Sequence, residues 1–495
     1  MMKKFILFSL WGLVMGLASC NDDDTENIYV QDASLSNLTT NSISFDSNGG
    51  TENFSVTCTV MPTAVSDSEW ITVDRISSSN KVHTFSVTAS ENSLSEDRTG
   101  YVKITAGKNS ETISVVQTGS VLSPDPGIQE SEPLLGIKAK DIEADIKAGW
   151  NIGNTLEAIG GESAWGNPKI NEEYVAGIKA AGFNAVRIPC SWDSYIIDKT
   201  NNTIDPKWLD RVNEVVGYVL DQDLYAILNI HWDGGWLENN IEFASKPELV
   251  DKQKALWTQI ATRLGHYNEK LLFAGLNEPN AGNEWGSKND NILAMKALLD
   301  YEQAFVDAVR GVGGNNSTRT LVVQAPHTSI NMAYDYMDEL PNDPSGDGYM
   351  MVEAHFYDPS EYTIMEEDGA WSTYVKFFWG KDFHQGGNRD CTWGEESSML
   401  SQLQKMQNKF VNKGIPVIIG EYGAYPEEHI SKNVTFSDSE IEIVKASREY
   451  WYQCFTKYAR ETGVLPFVWD TGELINRNTG EVNQSKQYII DALIK

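Results

Sequence analysis

Two hydrophobic periods divide the chain. Between residues 40 and 118 apolar and polar residues alternate, most clearly in 54–58, 84–88, 101–105 and 113–116. Alternation of this kind belongs to strands with one buried face. Turn-forming stretches separate the runs: Asn48-Gly49-Gly50, residues 77–80, and Ala106-Gly107-Lys108-Asn109. Several short strands at this spacing predict a small all-β, immunoglobulin-like sandwich over 40–118. From residue 137 the pattern changes. Near-continuous apolar runs at 148–152, 185–189, 225–230, 272–277, 321–324, 351–355, 416–420 and 465–469 alternate with helical periods. The helical segments are 172–181, 206–221, 247–266, 292–309, 395–412 and 439–460. Strands apolar throughout are those of a parallel sheet covered on both faces. Eight such units in roughly 350 residues predict an α/β fold over 137–495, a (β/α)8 TIM barrel with enlarged loops. A doubly wound sheet lacks support, since no Gly-x-Gly-x-x-Gly turn follows the first strand.

Pro124, Pro126 and Pro133 break any regular pattern in 119–136, which reads as a semi-rigid linker. At the N-terminal end Lys3 and Lys4 precede an apolar run at 5–17 and then Ala18-Ser19-Cys20. Charge, short apolar run and small residues make a secretory signal over 1–19, too short for a comfortable membrane span. Leu17-Ala18-Ser19-Cys20 resembles a bacterial lipobox. That resemblance implies lipidation of Cys20 and anchoring in the cell envelope, with the outer membrane, outward-facing, as the expected location. Residues 20–39, opening with Asn21-Asp22-Asp23-Asp24, then read as a hydrated acidic tether.

Composition narrows the partners. A chain of 495 residues exceeds one ordinary core. Its formal net charge of −31 repels phosphate backbones, so nucleic acid is excluded and a neutral substrate fits. A monomer is expected. Cys58, Cys190, Cys391 and Cys454 follow no metal-binding spacing. Cys58 shares a strand face with Phe54 and Val56 and is expected to be buried, while the disulfide state of the four stays open.

The chemistry of a TIM barrel sits where its strands end. Strand two supplies Arg187, strand three His231, strand four Asn277-Glu278-Pro279, strand six His355 and Tyr357, strand seven Glu421, and strand eight Trp469. One strand-end glutamate is more often a structural ion pair. Two, on strands four and seven and ringed by these groups, point to catalysis. Cleavage of a glycosidic bond needs a proton for the leaving oxygen and an anion or nucleophile opposite it. Mutual repulsion helps set the two carboxyl pKa values apart. Arg187 would stabilise the ionised carboxylate and Tyr357 would donate to it. Asn277 would hold a sugar 2-hydroxyl, and Trp469 would stack on a pyranose. His231 and His355 read as substrate hydrogen-bonders, because no third metal ligand accompanies them at the usual spacing. His266 and His327 read as structural or surface residues. No metal site and no cofactor are expected.

These residues, Arg187, His231, Asn277-Glu278-Pro279, His355-Phe356-Tyr357, Glu421-Tyr422-Gly423 and Trp469, resemble glycoside hydrolase family five. The resemblance runs from about residue 140 to the C-terminus. It implies Glu278 as acid/base, Glu421 as nucleophile and a retaining mechanism. Residues 149–157, Ala164-Trp165-Gly166-Asn167-Pro168 and His231-Trp232-Asp233-Gly234-Gly235-Trp236 resemble the subfamily holding endoglucanases, lichenases and xyloglucanases. With those motifs Asn154 and Trp165 join the expected substrate contacts. Trp70-Ile71-Thr72-Val73, Arg98-Thr99-Gly100-Tyr101 and Val116-Gln117-Thr118-Gly119 resemble the BACON-type domain of gut-bacterial surface proteins. Without an exposed aromatic platform, and with Trp70 expected in the core, a spacer role is favoured over glycan binding.

Thirteen of the fifteen tryptophans lie beyond residue 137. Trp208, Trp257 and Trp451 fall on helices and are expected in the core. Trp165, Trp192, Trp232, Trp236, Trp285, Trp371, Trp379 and Trp393 fall in loops or at strand ends, where about half should serve as sugar platforms. Segment 358–393, with Phe377-Phe378-Trp379, is expected to shape subsites. The reading is an endo-β-1,4-glucanase with a polysaccharide substrate, most of all xyloglucan, for whose branches Gly234-Gly235 and Gly282 would leave room. A cellulase, a mixed-linkage β-glucanase or a β-mannanase would use the same catalytic set. A non-catalytic surface glycan-binding protein would keep the tryptophans but lose a glutamate.

Overall fold

The computed structural model describes residues 33–90, 92, 97–119 and 137–494. The signal segment, Cys20, most of the tether and nearly all of the linker lie outside the described residues. The chain forms two compact units that divide at residues 121–122.

The first unit is two four-stranded sheets. One joins Leu35–Ser36, Gly50–Cys58, Val82–Ala89 and Ile71–Ser79; the other joins Ser42–Phe45, Asn109–Gln117, Arg98–Ala106 and Thr63–Ser66. Alternate residues such as Phe54, Val56, Phe85, Val87, Val102, Ile104, Ile113 and Val115 meet in one core. Cys58 is buried, as its strand face required. Two boundaries differ from the sequence reading. Leu35 and Ser36 pair with Cys58 and Thr57, so the sandwich takes in residues assigned to the tether. The turn placed at 77–80 is shorter, because strand Ile71–Ser79 absorbs an irregularity between Arg75 and Ser77 before turning at Asn80 and Lys81. Trp70 is only partly buried and carries Arg98 over its ring at 4.4 Å.

In the second unit eight parallel strands close into a barrel. In chain order they are Gly149–Ile152, Ala185–Ile188, Tyr225–Asn229, Leu271–Ala274, Leu321–Gln324, Met350–Phe356, Val417–Tyr422 and Val464–Asp470, here barrel strands one to eight. The helices start where chemistry marks them. Pro206 opens Pro206–Asp221, with Asp205 accepting from Lys207 N–H at 2.9 Å. Ser437 and Glu440 form a capping box before Asp438–Thr462, which stops at the left-handed Gly463. Helix Ala139–Asp145 was not anticipated. Ala139 and Ile142, with Ile146 just beyond it, pack with Ala185, Tyr225, Leu272, Val322, Met351, Ile418 and Leu465, filling the barrel interior. Among the described residues no helix is long and apolar enough to cross a membrane.

Candidate active site

The barrel strands look uniformly apolar in sequence, yet their inward positions change character along the axis. Ala185, Ile227, Val322 and Met351 point into the apolar interior. Two residues further on, the same parity brings in Arg187, Asn229, Gln324 and Glu353, all buried. Strand seven departs from strict alternation. Ala354 pairs with Ile419 but His355 pairs with Glu421, so Gly420 is an extra residue. A Cβ at Gly420 would lie 1.8 Å from a Glu353 oxygen. The bulge lets Glu421 face the interior too, while Tyr422 returns to the outer core. Strand four ends at Ala274, short of the predicted 277, so Asn277 and Glu278 stand in the following loop. Glu238 anchors them there, accepting from the Asn277 N–H at 3.1 Å and from the Glu278 N–H.

Eight predicted groups meet. Arg187 donates from Nη1 to Glu421 at 2.9 Å and to Asn151 at 3.0 Å, and from Nη2 to Asn277 Oδ1 at 2.7 Å. Tyr357 donates its hydroxyl to Glu421 at 3.1 Å. His355 Nδ1 lies 2.8 Å from Glu278 and 3.7 Å from Glu421. Oxygens of Glu278 and Glu421 and a nitrogen of His355 all lie within 4.8 Å of one another. His231 stacks beside Trp469 with ring centroids 5.8 Å apart. Trp469 itself is held by Tyr425, which donates to its carbonyl at 2.6 Å. At Gly153 a Cβ would meet the Trp469 indole at 2.7 Å, which requires glycine there.

The charges form one coupled set. Burial opposes a charge on His355, but Glu421, Glu278 and Glu353 outweigh it and push its pKa up to about 10. Burial also presses the Glu278 carboxyl upward, and the bond from His355 reverses this and brings it below its ordinary value. Burial raises Glu421, against the pull of His355 and Arg187. With Arg187 and Tyr357 both donating to it, the ionised form of Glu421 is the one this cage is built to hold. Burial, Arg187 and His355 keep His231 neutral, and burial with the Glu421 charge keeps Tyr357 a phenol. Glu278, His355 and Glu421 converge as closely as metal ligands do, but the set does not suit a cation. Arg187 already neutralises Glu421, and an imidazolium at His355 offers no lone pair to a cation.

The surrounding rim is more mixed. A cleft of about 550 Å3 runs from Glu278, His355 and Tyr357 past Glu284, Trp285, His327, Asp358 and Trp393. His327, read as structural or surface, thus lines it, its Nε2 2.9 Å from the Gly282 carbonyl. His266 is buried, as read. The Glu278 side chain is 47 % exposed toward the cleft, and Trp285 is 94 % exposed. Trp165, Trp232, Trp371 and Trp393 are also exposed, whereas Trp192 and Trp379 are buried. Asp358 and Trp393 bring segment 358–393 to the cleft, but Phe377 and Phe378 do not share in it. They pack with Met365, Val375 and Val444 and offer nothing to a sugar. Asn154 sits in a left-handed turn after strand one, its N–H taken by Glu157 and its carbonyl by Asn167. Gly235 and Gly282 serve their turns. Both have positive φ, and a Cβ would strike Asn239 or Asn291; only Gly234 faces open space. Sequence reasoning missed Glu238, Gln324 and Glu353; for the latter two the signal was a polar residue at an inward strand position.

A closed parallel barrel that holds two facing carboxylates, a guanidinium, a tyrosine and a tryptophan at its C-terminal rim defines a glycoside hydrolase. Known proteins agree. The family described as cellulase (glycosyl hydrolase family 5) matches residues 150–474, and the BACON family, an N-terminal domain, matches residues 62–118. Endoglucanase A of Paenibacillus barcinonensis is 34 % identical over 73 % of this chain and 91 % of its own. The xyloglucan-specific endo-β-1,4-glucanase BoGH5A of Bacteroides ovatus is 30 % identical over 97 % of this chain and 94 % of its own. A Bacteroides ovatus GH5 xyloglucanase in complex with a XXXG heptasaccharide superposes with a TM-score of 0.66 at 29 % identity, covering 93 % of this chain and all of the other. The chain belongs to glycoside hydrolase family 5 and is an O-glycosyl hydrolase that carries an N-terminal BACON domain.

Proposed function

We propose that the protein is a retaining endo-β-1,4-glucanase acting on xyloglucan, with Glu278 as acid/base and Glu421 as nucleophile. The carboxylate spacing carries the mechanism. Oxygens within 4.8 Å leave room for an anomeric carbon between them but not for the extra water that inversion requires. Glu421 attacks that carbon as its bond to the leaving glucan breaks, and Glu278 gives its proton to the departing oxygen. Water then loses a proton to Glu278, adds to the anomeric carbon, and frees Glu421. Arg187 and Tyr357 keep Glu421 charged for the attack. The proton Glu278 needs lies one 2.8 Å bond away, on His355. Arg187 occupies Asn277 Oδ1, so the Asn277 amide NH2 is left for the sugar 2-hydroxyl. Because Glu278 lines the cleft with Trp285 and Trp393, that cleft takes the leaving half of the chain.

The xyloglucan choice is supported by the names of the relatives that match along nearly the whole chain, BACON domain included. Lipidation at Cys20, with the sandwich as spacer, would place the enzyme on the outer surface. Catalytic roles are tested with azide: Glu278→Ala should be rescued on substrates with good leaving groups, giving the β-glycosyl azide, and near-wild-type turnover of polysaccharide by that variant or by Glu421→Ala would reject the assignment. Substrate is tested by kcat/KM on xyloglucan, carboxymethylcellulose, barley β-glucan and glucomannan. An unbranched polymer cut as fast as xyloglucan would reject the specificity and leave the endoglucanase.

A further inference from the structure

Below the two glutamates lies a third carboxylate that the reaction as described does not use. Glu353 is on barrel strand six, two residues before His355, and is fully buried. One oxygen lies 2.9 Å from Arg187 Nε and 3.3 Å from His355 Nε2, and the other accepts from Gln324 Nε2 at 2.7 Å. The Arg187 Nε–H is not aligned on that oxygen, so this contact acts as charge rather than as a directed bond. The His355 contact is directed. Three strands make the place: Gln324 from strand five, Glu353 from strand six, and Gly420 from strand seven, where any side chain would collide with the carboxylate.

His355 is therefore held at both ends, Nε2 by Glu353 and Nδ1 by Glu278. A neutral imidazole must put its one hydrogen somewhere. With a carboxylate on Nε2 the hydrogen stays there, and only the proton between Nδ1 and Glu278 moves. The groups facing the ring are Glu278, Glu421 and Glu353, with Arg187, His231 and Glu238 beyond. His231 is neutral, and burial raises the Glu238 carboxyl to about 8, which leaves it mostly protonated at neutral pH. The ring thus lies among three carboxylates and one fixed cation.

We propose that Glu353 is a positioning residue for the acid–base step: it fixes the Nε2–H form of His355 and so holds the catalytic proton on the His355–Glu278 bond until substrate arrives. This rests on Glu278 being the acid. Loss of that one shared proton leaves neutral His355 beside charged Glu278, with nothing to protonate the leaving oxygen. It should therefore set the alkaline limb of kcat/KM. Taking away an anion 3.3 Å from the ring makes the loss easier.

The test compares pH profiles of the full-length wild type and Glu353→Gln on xyloglucan oligosaccharide, together with NMR titration of histidine-labelled wild type. The alkaline limb of Glu353→Gln should move to lower pH by roughly one to three units, with KM nearly unchanged. His355 of the wild type should remain an imidazolium above pH 8. A limb that stays in place while the rate merely drops would show a structural role only and overturn the proposal. If Glu353→Gln does not fold, the wild-type titration decides: a His355 that titrates in the ordinary range overturns it. Full activity in Glu278→Gln would instead remove the acid assignment on which it stands, whereas an unmoved limb with inactive Glu278→Gln defeats the Glu353 role alone.

Discussion

Replacing Arg187 with methionine keeps a long side chain and deletes its charge. The native guanidinium is fully buried and lies 2.9 Å from each of two carboxylates, Glu421 and Glu353. At an effective dielectric of about 20 each contact is worth about 6 kcal/mol before desolvation is charged against it. The variant does not lose that much, because an orphaned buried carboxylate takes up a proton. Against an ordinary glutamate pKa of about 4.3, doing so costs about 3.7 kcal/mol at pH 7 and about 1 kcal/mol at pH 5. The usual cost of breaking a buried pair, about 3–5 kcal/mol, should thus appear at pH 7 and shrink toward pH 5. The sign follows from linkage. Above pH 4.3 the folded variant holds protons that its unfolded chain has released, so its stability falls as pH rises. Urea unfolding of both proteins at pH 5, 6, 7 and 8 measures the gap, which should widen by roughly 1.4 kcal/mol per pH unit for each proton held. Turnover should fall on the order of a hundredfold or more, because a protonated Glu421 is a poor nucleophile. A gap constant from pH 5 to 8, or an Arg187→Met enzyme with near-normal turnover, would refute the reasoning.

Proton NMR of a fresh digest should show the β-anomer first; an initial α-anomer would indicate inversion. Trp285→Ala should raise KM on polymer about two- to tenfold, the worth of one stacked ring, with little change in kcat. Gly153→Ala drives a methyl into the Trp469 indole and should cost about 1–3 kcal/mol of stability along with kcat/KM, measured by thermal melting and initial rates. Cys20→Ala should release the protein from the membrane fraction, and a chain starting at residue 137 should still cut short oligosaccharides at near-native rates.

Barrel strands and main helices were legible because a parallel strand buried on both faces leaves an unbroken apolar run, and because Pro206, Pro247, Ser437 and Gly463 mark helix ends. The rim residues were legible because each follows such a run. Strand four was overrun: Leu276 and Asn277 continue the pattern, but their N–H groups turn away to the side chains of Gln324 and Glu238. Leu35 and Ser36 were missed because a two-residue strand has no period to read. Glu353 and Gln324 look like interruptions in an apolar run, and only closure of the barrel reveals that they face its axis. Phe377 and Phe378 were misplaced for a different reason. A sugar platform and a hydrophobic core both call for large flat rings, and the partner that decides between them, Val444, is distant in sequence.

The single extra residue in strand seven makes the chemistry a matter of counting. Force Gly420 into regular pairing and every side chain after it changes sides: Glu421 would turn toward the helices and Tyr422 would enter the interior. All the residues needed for reaction would still be encoded, but Glu421 would be out of reach of Arg187, Tyr357 and His355. Anyone transplanting this constellation into an idealised barrel, or aligning a shortened relative to it, must therefore keep the bulge or leave Gly420 out along with it. A one-residue insertion that the ladder pairs regularly ahead of Glu421 should silence the enzyme as completely as losing the carboxylate itself.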